Sequence, residues 1–263
     1  MLDDARTAAA AALLWRHWQD GTRLEALPPM LRPASRAEGY AIQASLAARD
    51  GLVPAGWKIA ATSAAGQAHI GLDGPIAGRV LASQLLPAGA TVPLGANLLR
   101  VAEPEFVFRL AHDLPPRAAS YATAEVMAAV GTLHLGIEVP DTRFTDVATA
   151  GAPQIIADNA CAHRVLFGPA TAAEWRGLNL AAHAVHATVG DRATRDGIGA
   201  NVLGDPRVAL TWLANELSAQ GNGLAAGDYV TTGTCMAPLA IAPGDDLAID
   251  FGVLGSIAAR FIA

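Results

Sequence analysis

The sequence predicts an α+β protein, a rolled, mixed β-sheet with helices added at the N-terminus. Three observations carry that expectation. Roughly the first fifty residues read as helix. Short apolar runs punctuated by glycine occupy the rest of the chain. Those runs do not alternate with long helices, as a doubly wound sheet requires. A chain of 263 residues fits one large domain or one domain with a small helical addition. The division falls as a helical region over 1–52 and the β-roll over 53–263.

Each element has a local signal. Residues 3–19 form an alanine-rich helix with Leu13, Leu14 and Trp18 at helical spacing, ended by Gly21. A proline-rich connector over 27–33 follows, and Ser35-Arg36-Ala37-Glu38 is a capping box that opens a second helix reaching about Asp50. Strands are expected over 56–61, 77–81, 98–110, 132–139, 163–168, 179–189, 228–232, 247–251 and 256–262. One helix interrupts them over 123–130. Another opens at Asp205 with Pro206 in first helical position, turns Val208, Trp212, Leu213 and Leu217 inward, and stops near Gly221.

Composition narrows the function. The formal charge of −6 argues against nucleic acid or an anionic membrane as partner. Hydrophobic residues make up 52% but aromatics only 5%, so the core is ample and built from small side chains. Cys161 and Cys235 form no CxxC pair, and two cysteines make no disulfide framework; a reducing cytoplasm is the simplest home. The acidic start, Leu2-Asp3-Asp4, does not fit a signal peptide, and no apolar run is long enough to span a bilayer. Phosphate-binding glycine loops, an HExxH helix and a Gly-x-Ser-x-Gly elbow are absent.

The most informative residues are acidic. Glu103 and Glu105 lie one residue apart within an apolar strand, so a period of two puts them on one face. Glu138 sits in a second apolar strand. Such carboxylates are costly to bury together unless something positive lies between them. An oxygen-ligated Mg2+ or Mn2+ meets that need better than zinc does. Pro104 between the first two lacks an N–H and favours an edge or a bulge.

Lys58, in Gly56-Trp57-Lys58-Ile59, is either a snorkelling surface lysine or a buried ammonium that binds a carboxylate or moves a proton. Asp73, in Gly71-Leu72-Asp73-Gly74-Pro75, fits a turn. Asp158-Asn159-Ala160 reads as a turn or a polar pocket wall. Glu138 and Arg143 share a segment and suggest a structural ion pair, and His134 reads as a satisfied core histidine.

The ordered set of motifs resembles the fumarylacetoacetate hydrolase superfamily, in its 2-keto-4-pentenoate hydratase and 4-oxalocrotonate decarboxylase branch. The set comprises Ala41-Ile42-Gln43, Gly56-Trp57-Lys58-Ile59-Ala60-Ala61-Thr62-Ser63, Ile70-Gly71-Leu72-Asp73-Gly74-Pro75 and Glu103-Pro104-Glu105. It continues with Glu138-Val139-Pro140-Asp141-Thr142-Arg143, Asp158-Asn159-Ala160, Leu203-Gly204-Asp205-Pro206, Gly227-Asp228 and Gly252-Val253-Leu254-Gly255-Ser256. The resemblance implies a mixed β-roll that assembles as a homo-oligomer, with Glu103, Glu105 and Glu138 binding Mg2+ or Mn2+. It implies Lys58 and Asp73 as catalytic groups and Asn159, Thr232 and Ser256 as substrate contacts. Departures occur at Cys161 and at Thr231-Thr232-Gly233, where the branch favours serine, and at Pro140, where it favours an apolar or β-branched residue.

The implied activity is a metal-dependent hydratase adding water to a 2-hydroxy-dienoate or 2-oxo-enoate acid such as 2-hydroxypenta-2,4-dienoate, in aromatic-compound catabolism. A 2-oxo-acid decarboxylase of the 4-oxalocrotonate type is the alternative, ahead of an acylpyruvate hydrolase or a non-catalytic partner subunit. Hydratase–decarboxylase association is a further expectation from the branch.

Overall fold

A computed structural model of the protein describes residues 2–49 and 51–263. Helix α1 (Asp4–Asp20) begins where the Asp3 carboxylate accepts a hydrogen bond from Arg6 N, and ends at Gly21 in the left-handed region, φ 63°. Helix α2 (Arg36–Ala47) is capped by Ser35, whose hydroxyl accepts from Glu38 N at 3.2 Å. The Glu38 carboxylate reaches past Ser35 to Ala34 N at 2.7 Å and to Leu2 N at 2.9 Å, which ties the start of the chain to α2. The expected limit of this helix, Asp50, lies outside the described residues.

The elements that follow are β1 (Pro54–Ala60), α3 (Ala64–His69), β2 (Ile76–Leu81), β3 (Leu85–Pro87), β4 (Thr91–Pro93) and β5 (Val101–Leu110). Next come α4 (Thr123–Ala129), β6 (Val130–Val139), α5 (Val147–Ala150), α6 (Ala152–Ala157), β7 (Arg164–Ala170), β8 (Ala184–Val189) and β9 (Ala193–Ile198). The chain closes with α7 (Pro206–Ala219), β10 (Tyr229–Thr234), β11 (Leu239–Ala240), β12 (Asp246–Asp250) and β13 (Ser256–Ile262). All the expected strands form. The unexpected ones, β3, β4, β9 and β11, are two or three residues long or, in β9, lack a buried face.

Two sheets result. The larger runs β2-β1-β10-β5-β6-β7-β3, with β11 added to β5, and the smaller runs β4-β13-β12-β8-β9. The larger is mixed, because β1 pairs β10 in parallel while β10, β5 and β6 pair antiparallel. Its core strands are buried on both faces, so β5 and β6 read as continuous apolar runs rather than alternating ones. The sheets meet through rings such as Phe106 and Phe251, edge-on at 5.3 Å. Each such ring, fully buried, contributes about 1.5–3 kcal/mol.

Helix α7 opens at Asp205 as expected and buries Ala209, Leu210, Leu213, Ala214 and Leu217. Leu213 and Leu217 face inward as the sequence suggests. Val208 does not: it is 45% exposed, because it falls one residue off the buried i, i+3, i+4 stripe. No helix among the described residues is long and apolar enough to cross a membrane.

Pro104 lies one residue beyond a bulge and not at an edge. Strand β5 lies between β10 and β6, and the β10–β5 register shifts between Thr231 and Thr234. That slip spans the pairing of Val107 with Thr231 and of Glu105 with Thr234. A proline is tolerated there because the ladder is already interrupted.

Gly78 on β2 pairs with Lys58 on β1. A Cβ at Gly78 would lie 2.4 Å from the Asn159 carbonyl and 3.1 Å from Lys58 Cδ. Gly78→Ala is expected to destabilise the fold by about 1–3 kcal/mol, the usual cost of overpacking. Urea unfolding with unchanged midpoint would refute that close approach.

Candidate active site

Strand period and register together build the acidic cluster. Glu103 and Glu105 project from one face of β5, and Glu138 on β6 stands directly across from Glu103. One oxygen from each of the three carboxylates lies within 4.8 Å of the others. Glu105 and Glu138 are buried and Glu103 is partly so.

Lys58 joins them from β1. Strands β1 and β6 are three inter-strand spacings apart, about 14 Å in a flat sheet. Lys58 Nζ nevertheless lies 3.0 Å from Glu138 Oε1. The sheet curls, and its concave side gathers residues from β1, β5 and β6. Lys58 is only 2% exposed, which rules out the snorkelling alternative.

The second partner of Lys58 comes from an unusual turn. Its ammonium donates to the Ala160 carbonyl at 3.0 Å. Asn159, Ala160 and Cys161 have φ of 56°, 51° and 62°, three successive non-glycine residues in the left-handed region. The Asn159 side chain holds the turn to β2, accepting from Arg79 N at 2.7 Å and donating to Arg79 O at 2.8 Å. Asp158 holds it from below, accepting from Thr142 Oγ1 at 2.9 Å, Arg143 N at 2.8 Å and Arg143 Nε at 2.8 Å. Arg143 therefore pairs with Asp158. The expected pairing with Glu138 does not occur, because the chain turns after β6 and carries the guanidinium to Asp158 and the Trp18 ring.

The electrostatics favour a cation. Burial pushes Glu103 up to about 7, Glu138 adds to that, and Lys58 opposes it. Burial, then Glu138 and Glu103, hold Glu105 well above the usual carboxylate range, against Lys58 and the Gly233 N–H. Burial alone would depress Lys58, but the carboxylates of Glu138 and Glu103 reverse this and hold its ammonium above the usual range. Gly233 N donates to Glu105 Oε2 at 2.7 Å, which leaves Oε1 free. Glu105 Oε1 and Glu138 Oε2 are buried and accept no hydrogen bond from described residues. Hard oxygen donors with unsatisfied lone pairs fit a divalent cation such as Mg2+ or Mn2+.

Lys58 and Glu103 line a cavity of about 710 Å3. Cys161 lines it too; burial, and then Asp158, push its thiol up to about 12, so it is neutral. Cys161 and Cys235 are both buried free thiols.

The other expected site residues lie elsewhere. Asp73 follows α3 on the surface, 86% exposed at its side chain, 3.2 Å from Arg36. Asn159 is spent on β2, as described. Thr232 is fully buried and donates its hydroxyl to the Phe106 carbonyl at 2.8 Å. Ser256 is exposed at the start of β13 in the smaller sheet, paired with Asp250. None of these four lines the cavity. His134 is satisfied within the core, between Thr132 Oγ1 and the Gly168 carbonyl at 2.9 Å each. Two backbone groups at the site receive no role from the sequence. Gly233, φ 101°, passes so close to Thr62 that a Cβ there would lie 2.1 Å from its hydroxyl. The Ala160 carbonyl carries no side-chain signal at all.

Comparison with known proteins agrees with this geometry. A family model described as fumarylacetoacetate hydrolase C-terminal matches residues 79–262. The chain is 32% identical over 262 residues to 2-keto-4-pentenoate hydratase 1 of Dechloromonas aromatica (strain RCB), with 97% of each chain covered. It is 29% identical to 4-oxalocrotonate decarboxylase of Pseudomonas putida, covering 86% of this chain and 85% of that one. Among solved structures, 4-oxalocrotonate decarboxylase from Pseudomonas putida G7, complexed with magnesium and adipate, superposes with TM-score 0.90 at 26% identity. That match covers 100% of this chain and 99% of the other. The α+β fold with its curled sheets is the one these relatives share, and the chain belongs to the fumarylacetoacetate hydrolase family, in the branch that holds these hydratases and decarboxylases.

Proposed function

We propose that the protein is a divalent-metal-dependent hydratase acting on a 2-hydroxy-dienoate acid of the 2-hydroxypenta-2,4-dienoate type. One observation carries the reading: three carboxylates within 4.8 Å, backed by a buried ammonium 3.0 Å from one of them, at a cavity wall. The full-length relatives named as hydratases support it.

Glu103, Glu105 and Glu138 would hold Mg2+ or Mn2+, which supplies Lewis-acid polarisation of the substrate's 2-oxygen and carboxylate when bound. The Gly233 N–H fixes the Glu105 carboxylate, and Lys58 and the β5–β6 register fix Glu138. The overall reaction is ketonisation of the dienol and addition of water to the double bond conjugated with the new ketone. Lys58 is held by Glu138 and the Ala160 carbonyl, and its third N–H is the one left to meet substrate or water. That makes Lys58 the group that holds or moves the proton. Asp73 stays out of this assignment because its carboxylate is at the surface beside Arg36.

Decarboxylation of a 2-oxo diacid is the second reading, favoured by the TM-score of 0.90 with the decarboxylase. Both reactions pass through an enolate, so the same site serves either. Product analysis separates them: the hydratase takes up water and releases no CO2.

Glu105→Gln keeps the shape and an oxygen for the Gly233 N–H while removing the charge. It is expected to weaken Mg2+ or Mn2+ binding by at least about a hundredfold with the fold intact, a larger loss than outer partners give. Isothermal titration showing wild-type affinity would sink the metal assignment.

Lys58→Met keeps the stem and removes the ammonium. Catalytic efficiency on a 2-hydroxy-dienoate is expected to fall by roughly a hundredfold or more, as for a lost acid–base group, with metal binding retained. Steady-state kinetics decide it, and near-wild-type turnover would return Lys58 to a purely structural role.

A further inference from the structure

The cavity is larger and less polar than a five-carbon acid requires. Its volume of about 710 Å3 lies in the upper part of the range of roughly 300–1,000 Å3 typical of sites for drug-sized ligands. Away from Glu103 and Lys58, the large side chains of its wall are apolar. Ile70 ends the α3 segment, Leu99 and Val101 lead into β5, Val147 and Ile155 come from α5 and α6, and Met236 follows β10.

Charge follows the same division. No arginine lines the cavity, and its one lysine is already engaged by Glu138 and the Ala160 carbonyl. Three polar side chains of the wall already hold partners within the fold. Asn201 Nδ2 donates to the Cys235 carbonyl at 2.8 Å, Thr234 Oγ1 to the Met236 carbonyl at 2.7 Å, and Ser63 Oγ accepts from Gly66 N at 3.0 Å. His69 is the one imidazole on the wall, and it is exposed on α3. Three carboxylates, one ammonium and one divalent cation sum to zero formal charge. A single substrate carboxylate is then met by the cation. A second would meet no further lysine or arginine on the wall, and burying it against Leu99, Val101 and Met236 is costly.

We infer that the substrate is a monocarboxylate whose far end is uncharged, apolar and longer than a vinyl group, held by Ile70, Leu99, Val101 and Met236. The inference rests on the proposed chelation of a 2-oxo or 2-hydroxy acid and adds the chemistry of its tail. It also sets the hydratase reading above the diacid decarboxylase reading.

The test is binding of unreactive saturated 2-oxo acids by calorimetry, with the Mg2+-loaded full-length protein. Each methylene moved from water to an apolar wall is worth about fourfold in affinity. 2-Oxooctanoate is expected to bind at least about tenfold tighter than 2-oxopentanoate, and 2-oxohexanoate at least about tenfold tighter than 2-oxoadipate. Leu99→Arg, which adds a cation to the half-buried wall, is expected to reverse the second ranking. Equal or tighter binding of 2-oxoadipate by the wild-type protein overturns the inference, as does indifference to chain length. Turnover of 2-hydroxypenta-2,4-dienoate in the same preparation tests the parent reading separately. Turnover with a diacid preference in binding overturns the tail alone. Absent turnover with the expected binding order overturns the reaction and supports the tail.

Discussion

Three buried carboxylates that repel one another are the constraint around which this structure is arranged. Glu103, Glu105 and Glu138 would separate or protonate if nothing else held them. The holding force comes from the strands beneath. Phe106, Phe108, Leu133 and Ile137 are fully buried on β5 and β6, and their packing sets the register that places Glu138 across from Glu103. The bulge opposite Phe106 then releases the Gly233 N–H from the ladder and turns it to Glu105. Curling of the sheet brings Lys58 across three strand spacings to Glu138. Each feature would be a local irregularity by itself, and together they set negative charge beside one ammonium and leave lone pairs for a cation.

The turn at Asn159-Ala160-Cys161 extends this logic to backbone strain. A left-handed non-glycine residue costs about 1–2 kcal/mol, and here three follow in succession. Asp158 offsets that cost with three hydrogen bonds, two of them from Arg143, while Asn159 is bonded to both backbone groups of Arg79. The return is an acceptor, the Ala160 carbonyl, aimed at Lys58. Strain maintained by so many bonds is characteristic of functional sites. It explains why Gly78 must lack a side chain, since the Asn159 carbonyl occupies that space.

Local patterns made part of this legible in the sequence. The period of a strand puts Glu103 and Glu105 on one face, apolar flanks argue for burial, and caps mark both ends of α1 and the start of α7. Relations between distant segments were not legible from residues alone. Nothing near Arg143 announces Asp158 rather than Glu138 as its partner, because the choice depends on how the chain turns after β6. The motif positions Asp73, Asn159, Thr232 and Ser256 suggested a site by order along the chain, but the fold sends them to the surface, to β2, to the Phe106 carbonyl and to the smaller sheet. The short strands β3, β4 and β11 carry too few residues for periodicity to register.

Cys161 links the reactive end of the cavity to its apolar end. It stands in the strained turn, next to the carbonyl that holds Lys58, and it faces the cavity. A hydroxyl there would offer a strong donor and acceptor to a bound ligand, whereas a thiol offers a weak one and behaves as a small hydrophobe. Burial and the nearby Asp158 keep it protonated, so it adds no charge to a site already rich in carboxylates. The charged groups of the wall, His69 apart, are thereby limited to Lys58 and Glu103, and the large apolar side chains Ile70, Leu99, Val101 and Met236 share the same cavity. A cavity with its charge gathered at one place and large apolar side chains elsewhere would orient an amphipathic acid, its carboxylate toward Lys58 and the glutamates and its tail toward the apolar side chains.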